Sequence, residues 1–281
     1  MASSMRTMAL PSGDEMPVLG QGTWRLAEIR ARRNSEIAAL RRGLDVGLSL
    51  IDTAEMYGGG GAEAIVAEAI AGRRDAVFLV SKVLPQHATR AGTAAACQGS
   101  LRRLNTDRLD LYLLQWRGSV PLEETLEAFV ELQLAGLIRN WGVSNFGVPD
   151  LNQVTLLPGG QDLASDQVLY NLDRRTPEFD LLPTCAEAGI PVMAYSPVEH
   201  GRILGRPVLR DIAARHHASP AQIALAWVLR LDNVCAIPRS SRPEHADENR
   251  AALDIELSHD DLKALDAEFP PPARAQPLEM L

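Results

Sequence analysis

Short apolar runs alternate with longer amphipathic segments along most of the chain, from about residue 20 to residue 253. Short apolar runs separated by helical patterns are typical of parallel strands joined by helices. Eight such runs lie at residues 18–22, 48–52, 77–82, 109–114, 138–143, 164–168, 191–194 and 234–237. The pattern therefore predicts repeated strand and helix units around a parallel sheet.

The helical segments between these runs have recognisable ends. A stripe of apolar residues at helical spacing follows Ser35 and stops at Gly47, which predicts one helix in this interval. Pro121 opens a second segment that ends before Gly136, and Ser219 precedes a third. Proline in the first turn and glycine after the last turn are common at helix ends, so these boundaries support the helical interpretation.

The number of units distinguishes two parallel architectures. About eight strands and eight helices in 281 residues favour a closed (β/α)8 barrel, the TIM barrel, over an open doubly wound sheet. The glycine run at 58–61 follows a later strand and lacks GxGxxG spacing, so we interpret it as a loop and not as a dinucleotide turn. We expect a single domain over residues 1–281, with an N-terminal extension and a tail at 270–281 that is flexible or crosses the barrel mouth.

Composition limits the class of protein. The net charge of -8, without a run of lysine or arginine, argues against nucleic acid as a partner. Three widely spaced cysteines and six scattered histidines indicate neither a disulfide framework nor a metal site. No apolar stretch approaches the roughly 20 residues of a membrane helix, and none near the start suits a signal peptide. We expect a cytoplasmic monomer that acts on a small molecule.

Three polar residues stand at or just after the ends of predicted strands. Asp52 closes one apolar run, Tyr57 lies five residues further on, and Lys82 closes the next run. Catalytic residues of such barrels come from the carboxyl ends of several strands, so these side chains should lie together. A buried ammonium needs a partner such as Asp52, and it can lower the pKa of a nearby phenol from its usual value of about 10. Spacing alone leaves two interpretations open: a proton donor, or a buried ion pair beside a structural tyrosine.

Six phrases spread over residues 18–269 resemble the ordered signatures of the aldo-keto reductase family, in particular its bacterial, short-loop members. They are LIDTAEMYG, VFLVSKV, LDLYLLQW, GLIRNWGVSNF, PVMAYSP and AIPRSSRPEHADENRAAL. The resemblance implies a (β/α)8 barrel that binds NADPH and transfers hydride to an aldehyde or ketone. It also implies that Tyr57 is the general acid and that Asp52 and Lys82 tune it.

The fourth catalytic position of that family, usually histidine, is matched by Gln115. A glutamine amide can donate a hydrogen bond to a substrate, but it does not titrate as an imidazole does. Hydride transfer to a carbonyl remains the leading interpretation. Two alternatives stay open: reduction of an imine or iminium, which has less need of an electrophilic histidine, and a barrel that binds NADPH with little turnover.

The resemblance also implies contacts with the cofactor and the substrate. At the nicotinamide it places Ser144, Asn145, Gln167, Tyr195 and Ser196, with Tyr195 stacked on the ring. Asp166 stands where relatives often have asparagine and would leave a carboxylate near the carboxamide. At the phosphate and adenosine end it places Arg239, Ser240, Ser241, His245, Glu248 and Asn249, a cluster that composition alone would also allow as a solvated helix cap. The expected substrate-binding residues are Trp24, Met56 and Trp116.

Overall fold

Eight parallel strands form a sheet that closes on itself in the computed structural model, which describes residues 5–281. With the two strands of a separate hairpin, β1 and β2, the described residues form ten strands. They are β1 (Thr7–Ala9), β2 (Glu15–Pro17), β3 (Gly20–Gly22), β4 (Leu50–Asp52), β5 (Phe78–Val83), β6 (Leu109–Leu114), β7 (Ile138–Ser144), β8 (Asp166–Leu169), β9 (Val192–Tyr195) and β10 (Val234–Ala236). Strands β3 to β10 pair in chain order, and bridges from Leu19 to Ala236 and from Gly22 to Arg239 join the first of them to the last. The predicted closed barrel is confirmed.

Helices surround the ring and connect its strands. They are α1 (Arg33–Asp45), α2 (Gly61–Ala69), α3 (Arg90–Leu104), α4 (Leu122–Leu134), α5 (Val148–Thr155), α6 (Leu181–Glu187), α7 (Pro207–Arg215), α8 (Pro220–Val228), α9 (Pro243–Ala251) and α10 (His259–Glu268). Two of these, α7 and α8, share the connection between β9 and β10, and α9 and α10 follow the last strand. The described residues thus contain two helices more than the eight that were expected.

The helix boundaries that the sequence predicts agree with the structure to within a residue or two. Helix α4 begins directly after Pro121 and ends two residues before Gly136, which has a positive φ of 71°. Ser219 caps α8, since its hydroxyl accepts a hydrogen bond from the backbone of Gln222 while the Gln222 side chain accepts one from the Ser219 backbone. These local signals end the helices where the chain must turn back to the sheet.

Large side chains fill the space between the ring and the helices. Phe129 of α4 stacks on Trp141 of β7, with ring centroids 5.5 Å apart, and meets Tyr112 of β6 edge-on at 5.8 Å. All three residues are buried. This layer fixes α4 against the sheet.

The N-terminal extension forms an antiparallel hairpin of β1 and β2 at the amino ends of the barrel strands. Asn140, near the start of β7, donates a hydrogen bond to Asp14 at 2.8 Å. Arg6 donates another to the carbonyl of Leu229, just after α8, at 2.8 Å. The hairpin therefore covers one end of the barrel and leaves the opposite end open.

The segment at 270–281 lies at the open end, as expected for a tail at the barrel mouth. Glu279 pairs with Arg174, and Leu278 packs against the core. The backbone of Leu281 lies close enough to Tyr195 to lower the pKa of that phenol, against the larger effect of burial. In the described part of the chain, every helix is too short or too polar to span a lipid bilayer.

Candidate active site

A cavity of about 690 Å³ opens at the carboxyl ends of the barrel strands. Its walls are built from the ends of β3, β4, β7, β8 and β9, from the loops that follow these strands and strands β6 and β10, and from α9. All the site residues that the sequence predicts line this cavity except Lys82 and Ser240. The barrel thus brings together residues that are up to 225 positions apart, from Trp24 to Asn249.

Lys82, Asp52 and Tyr57 meet at one side of this cavity. The ammonium of Lys82 lies 2.6 Å from Asp52 Oδ1, 2.8 Å from the carbonyl oxygen of Thr53 and 3.4 Å from the hydroxyl of Tyr57. Lys82 is fully buried, whereas Tyr57 is half-buried and faces the cavity. Because β4 and β5 are adjacent parallel strands with Asp52 opposite Val80, the side chain of Lys82 reaches the end of the neighbouring strand.

Burial and charge act against each other in this trio. Burial raises the pKa of Tyr57 above its usual value, and the positive charge of Lys82 opposes that rise without cancelling it. Burial disfavours the charge on Lys82, but the adjacent Asp52 and Tyr57 outweigh it, so the pKa of Lys82 is raised overall. Lys82 acts in the direction that the sequence predicts, yet burial decides the sign for Tyr57. The phenol therefore keeps its proton at neutral pH beside a permanent cation.

Gln115 follows β6 and lies against Tyr57. Hydrogen bonding with its side chain lowers the pKa of that phenol. The amide nitrogen of Gln115 is the atom that can donate to a phenol oxygen, whereas the amide carbonyl oxygen can only accept. That oxygen is buried and has no hydrogen-bond partner among residues 5–281. Lys82 and Gln115 thus both lower the pKa of Tyr57, while burial raises it more strongly.

The predicted nicotinamide residues form a connected polar network. Gln167 Nε2 donates to Asp52 Oδ1 at 2.8 Å, and Ser144 Oγ donates to the backbone carbonyl of Gln167 at 2.9 Å. Asn145 donates to Ser144 Oγ at 3.0 Å and accepts from the Tyr195 hydroxyl at 2.9 Å. Since the nitrogen of Gln167 is held by Asp52, its carbonyl oxygen is the atom left to accept a hydrogen bond from a ligand. Burial raises the pKa of Tyr195, which stays neutral.

Asp166 does not reach the cavity, contrary to the expectation of a carboxylate beside the carboxamide. It is fully buried, Oδ1 accepts a long hydrogen bond from the backbone of Phe146 at 3.5 Å, and Oδ2 has no partner within the described residues. Burial raises the pKa of Asp166 well above its usual value. The side chains of successive strand residues point to opposite faces, so Gln167 faces the barrel interior and Asp166 the helices.

The predicted phosphate cluster surrounds the start of α9. Arg239 is exposed and lines the cavity together with Ser241 and His245. Ser240 is buried and accepts a hydrogen bond from Asn249 at 3.0 Å, so its hydroxyl braces α9 and does not line the cavity. An arginine and a helix N-terminus at one wall provide the positive potential that a phosphate prefers.

The donor set fits a nicotinamide dinucleotide. A carboxamide needs both donors and acceptors, which the network around Gln167 and Ser144 provides, and a phosphate needs the cationic wall around Arg239. Both regions line the same cavity, next to Tyr57.

The walls at the mouth contain residues that the sequence analysis did not single out. Trp24, Met56 and Trp116 line the cavity as expected. His200 also lines it and packs on Trp24 with ring centroids 5.1 Å apart. The remaining additions include Arg25, Leu204, Met280 and Leu281. Only the place of His200 after the predicted strand 191–194 could have indicated it, whereas nothing in the tail sequence points to a cavity.

The described part of the chain contains no recognisable metal-binding site. Residues 5–281 bring no group of three histidine, cysteine or acidic side chains into an arrangement that could hold a metal ion. Cys97, Cys185 and Cys235 are all buried free thiols.

Comparison with known proteins identifies the family. The model of the aldo/keto reductase family matches residues 18–268. The methylglyoxal reductase YeaE of Escherichia coli (strain K12) is 49% identical over 276 residues, which cover 96% of this chain and 97% of that protein. The glyoxal reductase of Bacillus subtilis (strain 168) is 34% identical over 261 residues, which cover 93% of this chain and 92% of that protein.

A solved structure agrees with the sequence relatives. The crystal structure of an aldo-keto reductase from Klebsiella pneumoniae in complex with NADPH matches 99% of this chain and 100% of its own, with a TM-score of 0.96 and 46% identity. The family model, the relatives and this barrel all agree with the six phrases in the sequence. The chain therefore belongs to the aldo-keto reductase family.

Proposed function

We propose that this protein reduces a small 2-oxoaldehyde of the methylglyoxal type with NADPH, and that Tyr57 is the general acid. As an aldo-keto reductase it is an NADPH-dependent oxidoreductase of carbonyl compounds. Two relatives named as reductases of methylglyoxal and glyoxal support the narrower substrate class. Trp24, Trp116 and the tail line the cavity beside Tyr57, where the substrate would lie.

The contact of Lys82 with Tyr57 is the observation that carries the assignment of the acid. The Tyr57 hydroxyl oxygen accepts a hydrogen bond from the Lys82 ammonium at 3.4 Å, and hydrogen bonding with Gln115 lowers the pKa of the same phenol. Both of these partners are donors, so the phenolic proton points to neither of them. It is available to a carbonyl oxygen that enters the cavity beside Tyr57.

The residues of this chain would act on the carbonyl in a fixed order. The substrate oxygen accepts a hydrogen bond from Tyr57, and this hydrogen bond polarises the carbonyl. As negative charge develops on the substrate oxygen, that oxygen takes the proton from Tyr57. Lys82 then stabilises the tyrosinate at short range, and Asp52 keeps Lys82 charged throughout. NADPH, when bound, supplies the hydride that the carbonyl carbon receives.

The cofactor would be held by the residues that line the rest of the cavity. Gln167, Ser144 and Asn145 meet the carboxamide, Tyr195 with Ser196 lies against the nicotinamide, and Arg239 meets the phosphate with Ser241 and His245. Glu248 and Asn249 line the α9 side of the cavity, where adenosine would lie. Ser240 contributes through Asn249.

Imine reduction and NADPH binding without turnover are the two weaker candidates. The glutamine at position 115 motivated the first, but Gln115 lowers the pKa of Tyr57, and a proton donor with a lowered pKa also serves carbonyl reduction. The relatives with substrate names reduce carbonyl compounds. The complete Asp52, Tyr57 and Lys82 trio argues against a barrel without turnover.

Steady-state assays of Tyr57→Phe test the proposal. Removal of the proton donor should lower kcat for methylglyoxal by about 10²- to 10⁴-fold, the usual contribution of general acid catalysis. NADPH binding, followed by fluorescence, should be retained. Tyr112→Phe is the matched control, because Tyr112 is a buried tyrosine outside the cavity whose hydroxyl has no partner within residues 5–281.

A panel of substrates separates the remaining interpretations. Higher kcat/KM for methylglyoxal than for propanal supports the 2-oxoaldehyde class, and equal values reject that class while leaving the reductase assignment intact. Cyclic imines serve as the competing substrates, compared in the natural protein and in Gln115→His. Full activity of Tyr57→Phe would contradict the assignment of Tyr57 as the acid.

A further inference from the structure

The loop that carries Tyr57 has little rigidity of its own. Gly58, Gly59 and Gly60 follow the tyrosine directly, with φ values of 57°, 61° and 88°. Glycine adopts these left-handed conformations without strain but also has the largest backbone freedom. The position of the Tyr57 hydroxyl therefore depends on what holds the two ends of this loop.

The far end of the loop is held by an ion pair whose carboxylate is buried. Glu63, in the first turn of α2, is fully buried and accepts hydrogen bonds from Arg103 Nε of α3 at 2.5 Å and from Ser81 Oγ of β5 at 2.7 Å. Arg103 also reaches Ser100 Oγ at 3.3 Å. Three consecutive elements thus meet at one carboxylate.

The same arginine packs directly on the glycine loop. A Cβ added at Gly60 would lie 2.6 Å from Arg103 Cδ and 2.8 Å from Arg103 Nε. Only a residue without a side chain allows this approach. Arg103 therefore contacts the loop both through Glu63 and through the backbone of Gly60.

Glu63 also connects the loop to β5, the strand that carries Lys82. Ser81 precedes Lys82 in β5, so their side chains point to opposite faces of the sheet. Lys82 points to Asp52 and Tyr57, while Ser81 points outward to Glu63. A change in the position of α2 relative to β5 would thus move the Tyr57 hydroxyl relative to the Lys82 ammonium.

We propose that Ser81, Glu63 and Arg103 form a positioning cluster that sets the distance between Tyr57 and Lys82, and with it the ability of Tyr57 to donate a proton. None of the three lines the cavity. They act through Tyr57, so the inference rests on Tyr57 as the acid. Attraction between opposite charges falls with distance, and a retreat of the ammonium by about 1 Å would weaken the support for the tyrosinate noticeably.

Arg103→Met is the central variant, because methionine keeps much of the side-chain length and removes the charge. We expect kcat to fall about tenfold at saturating NADPH, while the dissociation constant for NADPH changes less than twofold. The pH at which the reverse reaction, alcohol oxidation, becomes fast should move up by about half to one unit, since a tyrosinate with a more distant ammonium is harder to form. Arg103→Lys should restore most of the activity.

Arg215→Met is the matched control, since Arg215 pairs with the buried Asp261 between α7 and α10, away from the cavity. It should lower the melting temperature without moving the pH profile. Ser81→Ala is a milder variant that should reproduce the direction of the Arg103→Met effect if Arg103→Met folds poorly.

A double variant separates this inference from the proposed function. In a Tyr57→Phe background, Arg103→Met should have no further effect on kcat, because the cluster acts only through the phenol. An undiminished effect there would overturn the positioning role while leaving Tyr57 as the acid. Equal loss of kcat in Arg103→Met and Arg215→Met, with unchanged pH profiles, would also overturn it.

Discussion

Lys82 carries its charge where water does not reach, and the cost of that burial explains its partners. The side chain of Lys82 has no exposed surface. Its ammonium contacts a carboxylate oxygen of Asp52, the backbone carbonyl oxygen of Thr53 and the hydroxyl of Tyr57. Removal of one member of a buried pair usually costs about 3–5 kcal/mol, because the remaining charge is left without compensation. Asp52 thus contributes to the stability of the fold and keeps the lysine charged.

A stability prediction at the same scale concerns Asp166. Its pKa is raised in the folded protein by burial, so between the ordinary aspartate value and this raised value the native state holds a proton that the unfolded chain has released. The contribution of Asp166 to the free energy of unfolding is therefore most favourable below about pH 4, and it falls as the pH rises above that value. Asp166→Asn should raise the melting temperature at pH 8 and change it little at pH 4, because asparagine keeps the acceptor for Phe146 and cannot ionise.

The exposed Asp232 provides the control for this experiment, since Asp232→Asn should leave the melting temperature nearly unchanged at both pH values. A melting temperature of Asp166→Asn that is no higher than that of the natural protein at pH 8 would contradict the buried, protonated state of Asp166.

Residues at strand ends could be predicted from the sequence, but their electrostatics could not. Asp52 and Lys82 each close an apolar run, and parallel strands bring such ends to one edge. The raised pKa of Tyr57 depends on how much protein surrounds the phenol, and the orientation of the Gln115 amide depends on which atom faces that phenol. Neither the burial of the phenol nor the orientation of the amide can be read from the spacing of residues along the chain.

At the scale of elements, the barrel units could be predicted because their ends carry local signals. Strands such as β6, with six consecutive buried residues, stand out as apolar runs. The hairpin of β1 and β2 does not stand out in the sequence, because each of its strands is short and mixes buried with exposed residues. The loop after β9, which brings His200 to Trp24, takes its course from positive φ values at Ser196, Glu199 and His200 that no sequence pattern announces.

Helix α10 offers a test of how far a helix cap acts independently of the site. Ser258 caps it, with Ser258 Oγ accepting from the Asp261 backbone at 3.2 Å and Asp261 Oδ2 accepting from the Ser258 backbone at 3.0 Å. Ser258→Ala should cost about 1 kcal/mol, or roughly 2–4 °C in melting temperature by calorimetry. Activity should not change, because no residue of α10 lines the cavity.

Ser12→Ala, in the turn of the N-terminal hairpin, is the corresponding control and should have a smaller effect on melting. A loss of kcat/KM in Ser258→Ala at a temperature where the protein is folded would show that α10 influences the site.

At the scale of the whole molecule, the C-terminal tail lies over the mouth of the cavity. Residues Met280 and Leu281 line the cavity and remain about half exposed, while Glu279 joins the segment to Arg174 on the rim. Arg174 also pairs with the buried Glu199, so the tail is tied to the loop after β9. The tail is therefore part of the wall that a substrate meets.

Deletion of residues 275–281 should affect substrate binding more than stability. We expect KM for the carbonyl substrate to rise about fivefold, which corresponds to contacts worth about 1 kcal/mol. The melting temperature should change little, since a partly exposed ion pair contributes about 0–1 kcal/mol. Glu279→Gln serves as the comparison that removes only the ion pair, and an unchanged KM in the deletion variant would contradict a role for the tail in the wall.

The seam between β3 and β10 has a consequence for biosynthesis. The two strands that close the ring are encoded more than 200 residues apart, and Gly22 cannot meet Arg239 until nearly the entire chain has left the ribosome. At about 5–20 residues per second, β3 waits roughly 10–40 s for its neighbour with one edge unpaired. Until then the nascent chain exposes an open sheet edge of the kind that chaperones protect from aggregation, and no cavity exists to bind a nucleotide.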